Sequence, residues 1–342
     1  MSNHTSETIA ATDLKSRVKN LVCDVLCRLG VPAVARRVRR GRLTIIMYHG
    51  IEPRPLSPDC WQVLDTPSFR RQLRYVQQHF TVLPLEEALE RLEVGTLPER
   101  AATLTFDDGT QNLLTQAAPV LREMNMPAAM FLATGAMDTD EALWPDRLWL
   151  AFARTAASEV DLTPLGLGIQ PLNSVADRGS VYATTVNHLK SLPDQERLSQ
   201  LTSLLATLEL EPDDDPGPFR MLTWARELAS DGLVTLYPHT VTHPILATCS
   251  DTKVESEIVE SIEEIKREIG QTPNVFAYPN GRAQDFDDRA KTVLRNQGVR
   301  WALSTVSGLA GRDSDHLALP RVGVGNDTSF AKFRLLVSGV TL

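Results

Sequence analysis

Leu104-Thr105-Phe106-Asp107-Asp108-Gly109-Thr110 closes an apolar run that begins at Ala101. A short apolar run ended by Asp-Asp-Gly predicts a buried strand that stops in a tight turn, with two carboxylates at its tip. Adjacent residues of an extended strand face opposite ways, so Asp107 and Asp108 are free to take different tasks. Side by side they repel unless a cation or a shared proton offsets the charge. Taken alone, the stretch reads equally well as an exposed surface turn.

Its surroundings repeat one pattern. Leu43–His49, Thr81–Pro84, Ala128–Leu132, Leu233–Tyr237, Trp301–Ser304 and Leu317–Val322 are further extended stretches, and Asn274–Gly281 reads as a strand running into a turn. Between them lie helical periodicities at Pro67–Phe80, Leu85–Leu92, Gln111–Met124, Asp251–Gly270 and Asp288–Gln297, with a short helix expected over Phe219–Gly232. Strands alternating with helices predict an α/β protein built on a parallel sheet or barrel. In such folds the chemistry gathers at the carboxyl ends of the strands, where His49, Asp107 and Asp108 fall. In Asp251–Gly270 the stripe Val254, Ile258, Ile262, Ile265 and Ile269 faces the core, and the acidic face is assigned to solvent. Residues 133–220 break the rhythm and read as an insertion, with a helix over Pro193–Leu208. Trp144 and Trp149 are either core aromatics or a surface for a sugar ring, the core assignment being favoured.

With 342 residues, 42% hydrophobic and 23% charged, the chain has the composition of a globular protein. A net charge of −8 argues against a nucleic-acid-binding protein. The four cysteines, Cys23, Cys27, Cys60 and Cys249, form no CxxC pair or zinc-finger spacing. No signal peptide and no transmembrane run is apparent, which favours a cytoplasmic location. The first 13 residues look disordered, and Leu14–Leu29 reads as a helix with an apolar stripe and a basic opposite face, followed by Arg36, Arg37, Arg39, Arg40 and Arg42. Residues 14–42 therefore either pack their stripe on the main domain or contact a membrane surface from the inner face.

The chemistry follows from Pro238-His239-Thr240-Val241-Thr242-His243-Pro244. Histidines at i and i+4 share one face of a helical turn, a recurrent metal-ligand spacing. With Asp108 they offer two nitrogens and one oxygen, a set that suits zinc or a similar divalent ion and leaves positions open for water and substrate. Asp107, not consumed as a ligand, is then the general base, and His49 is the best candidate for the acid that protonates a leaving amine.

Thr105-Phe106-Asp107-Asp108-Gly109, the His239–Pro244 segment and Phe276-Ala277-Tyr278-Pro279-Asn280-Gly281, in that order, resemble the first three motifs of polysaccharide deacetylases with a NodB-homology domain. The resemblance covers roughly residues 41–325. It implies a distorted (β/α) barrel, here with a helical insertion at about 137–220 and an N-terminal helical extension over 1–40, in a deacetylase domain running from 41 to 342. It implies metal-dependent hydrolysis of an N-acetyl group on a glycan, with Asp107 as base, Asp108, His239 and His243 as metal ligands, and the backbone N–H of Asn280 as a donor to the oxyanion. Met47-Tyr48-His49 is similar to the N-terminal Tyr-His of the biofilm-polysaccharide deacetylases, which supports His49 as the acid.

The chain departs from the family pattern at three places. Ala277 stands where an arginine usually pairs with the base; Arg321 is its expected substitute, with Arg282 as competitor. His316 lies in a polar stretch, so the usual C-terminal Leu-x-His is absent. Tyr237-Pro238 replaces a smaller pair before the first histidine and is expected to tilt His239. The leading expectation is an N-deacetylase acting on N-acetylhexosamine units of a polysaccharide, oligosaccharide or lipid-linked precursor, with Zn2+ or alternatively Co2+ or Ni2+. The alternatives are an O-acetyl esterase using the same site and a non-catalytic glycan-binding relative.

Overall fold

Each apolar run named above becomes a strand, in a computed structural model that describes residues 17–211, 214–224 and 231–341. The strands are β1 (Thr44–Tyr48), β2 (Gly50–Glu52), β3 (Val63–Asp65), β4 (Thr81–Val82), β5 (Ala101–Phe106), β6 (Ala128–Leu132), β7 (Glu159–Asp161), β8 (Ile169–Pro171), β9 (Val234–Pro238), β10 (Val275–Ala277), β11 (Trp301–Ser307) and β12 (Leu319–Gly323). Their order in the main sheet is β10-β11-β12-β1-β5-β6-β9, with β4 added on β5, and every ladder in it is parallel. Helices Thr66–His79, Leu85–Val94, Asp251–Ile269 and Asp288–Asn296 pack against it. The result is a nearly closed, distorted (β/α) barrel. No ladder joins β9 to β10; at that seam His239 Nδ1 lies 2.8 Å from the Ala277 carbonyl oxygen.

Burial on both faces explains why β1, β5 and β6 read as continuous apolar runs rather than alternating ones. Alternation still sorts the residues. Ile46, Leu104, Phe106 and Met130 join one cluster with Phe69, Leu73 and Val76 of the helix Thr66–His79, while Ile45, Ala129, Phe131, Leu303 and Leu319 join another. Thr103, Thr105 and Asp107 share parity opposite to Leu104 and Phe106, which puts Asp107 on the side where Arg321 of β12 is buried. The register Tyr48↔Phe106 sets His49 beside Asp107, and the Asp107 N–H donates to the Tyr48 carbonyl at 3.0 Å.

Between β6 and β9 the chain adds helices Trp144–Arg154, Val175–Leu189 and Asp194–Thr207 and the hairpin β7–β8. Trp144, Phe152, Leu189 and Leu205 of this segment cluster with Cys60, Val63 and Ile245 of the barrel loops, so its core is continuous with the domain. The first two of those helices were not legible as helices. Trp144 and Trp149 are both buried, in agreement with the core assignment.

Several expectations are corrected. His239 and His243 do not share a helical turn: residues 239–245 are a loop, in which Thr240 and His243 adopt φ of 66° and 57°. The Gln111–Met124 helix opens with a π-type turn at Leu113–Ala117, before Pro119, and only Ala118–Met124 is α-helical. Of the helix expected over Phe219–Gly232, residues 225–230 lie outside the described part. Residues 220–222 are extended because the Asp-Asp-Gly turn needs partners for its backbone: Gln111 N–H donates to the Arg220 carbonyl at 2.7 Å and Leu222 N–H to the Gly109 carbonyl at 2.9 Å. The acidic face of Asp251–Ile269 is not wholly solvated, since Glu257 and Ser261 are buried. Helix 17–28 buries Cys23 and Cys27 against Ala331 and Leu335, but the stripe Val18, Leu21, Val22, Val25 and Leu29 is exposed.

Candidate active site

A cleft of about 490 Å³ opens at the carboxyl ends of the strands, and His49, Asp107, Asp108, His239, His243, Asn280 and Arg282 all line it. The loops that carry them are held in unusual backbone conformations. Asp108, Thr240, His243 and Asn280 are four of the eight non-glycine residues with positive φ among those described, at 76°, 66°, 57° and 58°. Such conformations cost about 1–3 kcal/mol each and persist where the surroundings over-determine them. Here the surroundings are visible. Gly109 has φ 88°, and a Cβ there would lie 2.8 Å from Leu132 Cδ2. Thr134 and Gly135 donate their N–H groups to the Thr240 and Val241 carbonyls at 3.0 and 2.9 Å.

Arg321 is fully buried and forms a two-pronged pair with Asp107, Nη1 to Oδ1 at 2.7 Å and Nη2 to Oδ2 at 2.6 Å. Its Nε donates to the Ser304 carbonyl at 2.8 Å, which fixes the guanidinium plane. Arg282, the competitor, is turned away and bonded to Asp285 at 2.9 and 3.2 Å. Burial alone would raise the Asp107 carboxyl; the charge of Arg321, with His239, the Arg321 hydrogen bonds and His49, outweighs it and holds the group below its ordinary value. Asp107 is therefore ionised and oriented.

Asp108 lies beyond the end of β5, and its left-handed backbone, φ 76°, takes its carboxylate to the two histidines rather than to Arg321. Its Oδ1 lies 3.3 Å from His243 Nε2 and 3.6 Å from His239 Nε2. The three ligand atoms lie within 4.8 Å of one another and all three residues are buried. The donor set fits a divalent cation. His239 uses Nδ1–H on the Ala277 carbonyl, so in the neutral ring Nε2 presents a lone pair toward the lone pairs of Oδ1. Two acceptors face each other, an arrangement that a cation between them resolves. Tyr237-Pro238 does not disturb this ring. The Tyr237 side chain leaves the cleft, stacks on Phe131 with centroids 5.4 Å apart, and donates its hydroxyl to Glu86 at 2.7 Å.

Other residues of the site were not singled out from sequence. Glu257 Oε2 accepts the N–H groups of Val241 and Thr242 at 2.9 and 2.8 Å, and Oε1 accepts the Thr242 hydroxyl, pinning the loop between the two histidines. Its signal was present: Glu257 falls next to Val254, Ile258 and Ser261 on the apolar side of its helix. Trp144 Nε1 donates to the His243 carbonyl at 3.1 Å, so the insertion supports the second histidine. Trp61, 45% exposed, sets its ring 5.1 Å from that of His49. The insertion also contributes Asp146, Tyr182, Asn187 and Lys190 to the cleft wall. Asp146 is buried and accepts from Gln62; burial, and next the charge of Asp108, push its carboxyl well above the ordinary range.

His49 Nδ1 is buried without a partner, and burial pushes the imidazole below its ordinary value despite Asp108 and Asp107 nearby. The backbone N–H of Asn280 is taken by no hydrogen bond among the described residues, and Asn280 is one of the residues lining the cleft. His316 is remote from this group: its carbonyl accepts the Ala302 N–H at the amino-terminal half of β11.

Comparison with known proteins agrees with this geometry. The family model described as polysaccharide deacetylase matches residues 94–164 and 221–302, a match interrupted by much of the insertion. Over these two stretches the chain is similar to polysaccharide deacetylases. A poly-beta-1,6-N-acetyl-D-glucosamine N-deacetylase of Staphylococcus epidermidis is 34% identical over 67 residues, which is 19% of this chain and 23% of that protein. Among solved structures, the Streptococcus pyogenes deacetylase PplD in complex with acetate aligns with a TM-score of 0.57 at 18% identity, over 88% of this chain and 99% of that one. IcaB from Ammonifex degensii aligns with a TM-score of 0.57 at 17% identity, over 87% and 97%.

Proposed function

We propose that the protein is a metal-dependent hydrolase that removes N-acetyl groups from N-acetylhexosamine units of a glycan. One observation carries the reading: an ionised, arginine-clamped carboxylate, Asp107, stands beside the Asp108–His239–His243 cluster at the floor of a single cleft. The matched family and the N-deacetylase similarity of the short aligned segment support the same chemistry. A divalent cation, Zn2+ by its borderline softness and tolerance of mixed N and O ligands, would be held by Asp108, His239 and His243 and would supply Lewis-acid activation of the acetamide carbonyl and of water.

The chain's own groups do the rest. Asp107 takes the proton of the attacking water, its carboxylate fixed in one orientation by Arg321. The free N–H of Asn280 donates to the oxygen that gains negative charge at the tetrahedral stage. His49 delivers a proton to the departing amine nitrogen; its ring is positioned by Trp61 and by the end of β1. Trp61 offers a half-exposed aromatic face for the sugar ring. Asp146 and Gln62 add polar groups to the cleft lining, suited to a sugar hydroxyl or the acetamide.

The test is release of free amine and acetate from chitooligosaccharides and from acetylated xylan, with and without added zinc. Amine appearing only with metal, and preferentially from the chitooligosaccharide, is the expected result. Acetate from xylan alone would reassign the site to esters, and no turnover together with no bound metal would overturn the proposal.

A further inference from the structure

Helices 17–28 and Val31–Val38 present an apolar surface that the rest of the described residues leave uncovered. Of the thirteen large hydrophobic side chains exposed among the described residues, seven lie in this one segment: Val18, Leu21, Val22, Val25, Leu29, Val34 and Val38. Leu21, Leu29, Val34 and Val38 are 64%, 73%, 62% and 77% exposed. They are not scattered. At about 100° per residue, Val18, Leu21, Val22, Val25 and Leu29 fall in one stripe, while Cys23 and Cys27 lie on the opposite face against Ala331 and Leu335. Beyond Gly30 the surface continues as a groove lined by Leu29, Val31, Val34, Ala35, Val38 and Val340.

The charges around the stripe say what it faces. Residues 17–42 hold eight lysines and arginines against the single acid Asp24, in a chain whose net charge is −8. On the helical projection Arg17 and Arg28 flank one edge of the stripe and Lys19 the other. Arg36, Arg40 and Arg42 are engaged by Tyr75 and Ser338, by Glu99 and by Asp313. Lys19, Arg28, Arg37 and Arg39 are exposed and carry no ion pair among the described residues. An apolar ridge with basic flanks is the pattern of a helix that lies in a bilayer interface, its long basic side chains reaching the headgroups. No described helix is long and apolar enough to cross a membrane.

We propose that helices 17–28 and Val31–Val38 form a docking face for an anionic lipid surface. The apolar ridge enters the interface, and the unpaired basic residues meet the acidic headgroups. Lys19 and Lys332 line one small depression, and Lys332 also lines the catalytic cleft, so the docking face and the cleft mouth share an edge. A docked protein would therefore hold its cleft close to glycans at the membrane. The inference stands on the N-terminal surface alone and does not depend on the deacetylase reading.

Co-sedimentation of the full chain tests it, using vesicles of equal parts phosphatidylglycerol and phosphatidylcholine beside vesicles of phosphatidylcholine only. The wild type is expected on the mixed vesicles, at least about tenfold more weakly on the neutral ones, and less at high salt. Val25→Glu/Leu29→Glu, at two exposed positions, is expected to leave thermal unfolding unaltered and to lower binding by about tenfold or more. Arg37→Gln should lower it by about fivefold. Wild type remaining in the supernatant with both vesicles would overturn the proposal. So would a Val25→Glu/Leu29→Glu variant that binds as the wild type does. A stable dimer in light scattering that this variant converts to monomer would also overturn it, assigning the face to a second copy.

Discussion

At the scale of single residues, the site depends on two neighbouring carboxylates being treated differently. Asp107 is clamped by Arg321 and Asp108 lies beside two imidazoles, and the left-handed backbone of Asp108 in the turn after β5 separates them by direction. The Arg321–Asp107 pair is fully buried, so removing one partner leaves an uncompensated charge. Arg321→Met is expected to cost about 3–5 kcal/mol of stability, measurable by denaturant unfolding. Arg321→Lys keeps the charge but loses the fork, and should lower kcat by roughly ten- to a hundredfold with little change in KM. Arg282→Gln, whose wild-type guanidinium serves Asp285, should leave kcat within a few-fold. Asn280→Gly retains both the backbone N–H and the φ of 58°, and should also stay within a few-fold. His49, Asp107, Asp108 and His239 were legible because each follows the end of an apolar run. Glu257 was not, because an acid on a helix next to apolar neighbours reads as solvated until a loop with two unpaired N–H groups is placed against it.

At the scale of elements, the histidine loop is the most constrained piece. Its left-handed residues Thr240 and His243 are held by Glu257, by Trp144 and by the N–H groups of Thr134 and Gly135. Glu257→Ala would leave the Val241 and Thr242 N–H groups without an acceptor. Metal affinity is expected to fall by about 10- to 100-fold, read by competition with a chelating dye. A separate prediction concerns the insertion. Asp194 receives Lys253 at 2.7 Å and also pairs with Arg197, tying the insertion to the helix Asp251–Ile269. Burial raises the Asp194 carboxyl, but the Lys253 hydrogen bond and Arg197 outweigh it, so the folded value lies below the ordinary 3.8. A depressed acid stabilises the fold above its unfolded value, and that contribution is lost as pH falls through the folded one. Asp194→Asn should therefore cost about 1–3 kcal/mol at pH 7. Its melting temperature should converge on that of the wild type as the pH falls through the acid range. Strands of the barrel were readable as apolar runs; the insertion helices were not, because their apolar residues pack on several neighbours and give no single stripe. The i, i+4 spacing grouped the two histidines for the wrong local reason, since left-handed residues rather than a helical turn bring them together.

At the scale of the molecule, the barrel gathers the proposed ligands after β5 and after β9, the arginine clamp from β12, the proposed acid after β1 and the proposed oxyanion donor after β10. No short segment of sequence contains this site; parallel order and register assemble it. The seam between β9 and β10 was not foreseeable, because it depends on His239 reaching the Ala277 carbonyl where a ladder would otherwise stand. Zinc binding to the folded state should raise the melting temperature of the wild type and of Asp107→Asn, corresponding to about 2.7 kcal/mol at a hundredfold excess over Kd, and should leave His243→Ala largely unmoved. The central claim is that Asp108 and Asp107 divide metal binding from proton transfer. The most direct measurement is elemental analysis of bound zinc alongside amine release from a chitooligosaccharide, on wild type and Asp107→Asn in parallel. The division predicts equal zinc in both and a fall in turnover on the order of 10²–10⁴-fold for the variant. Turnover by Asp107→Asn at the wild-type rate, or loss of the metal with the change, would contradict it.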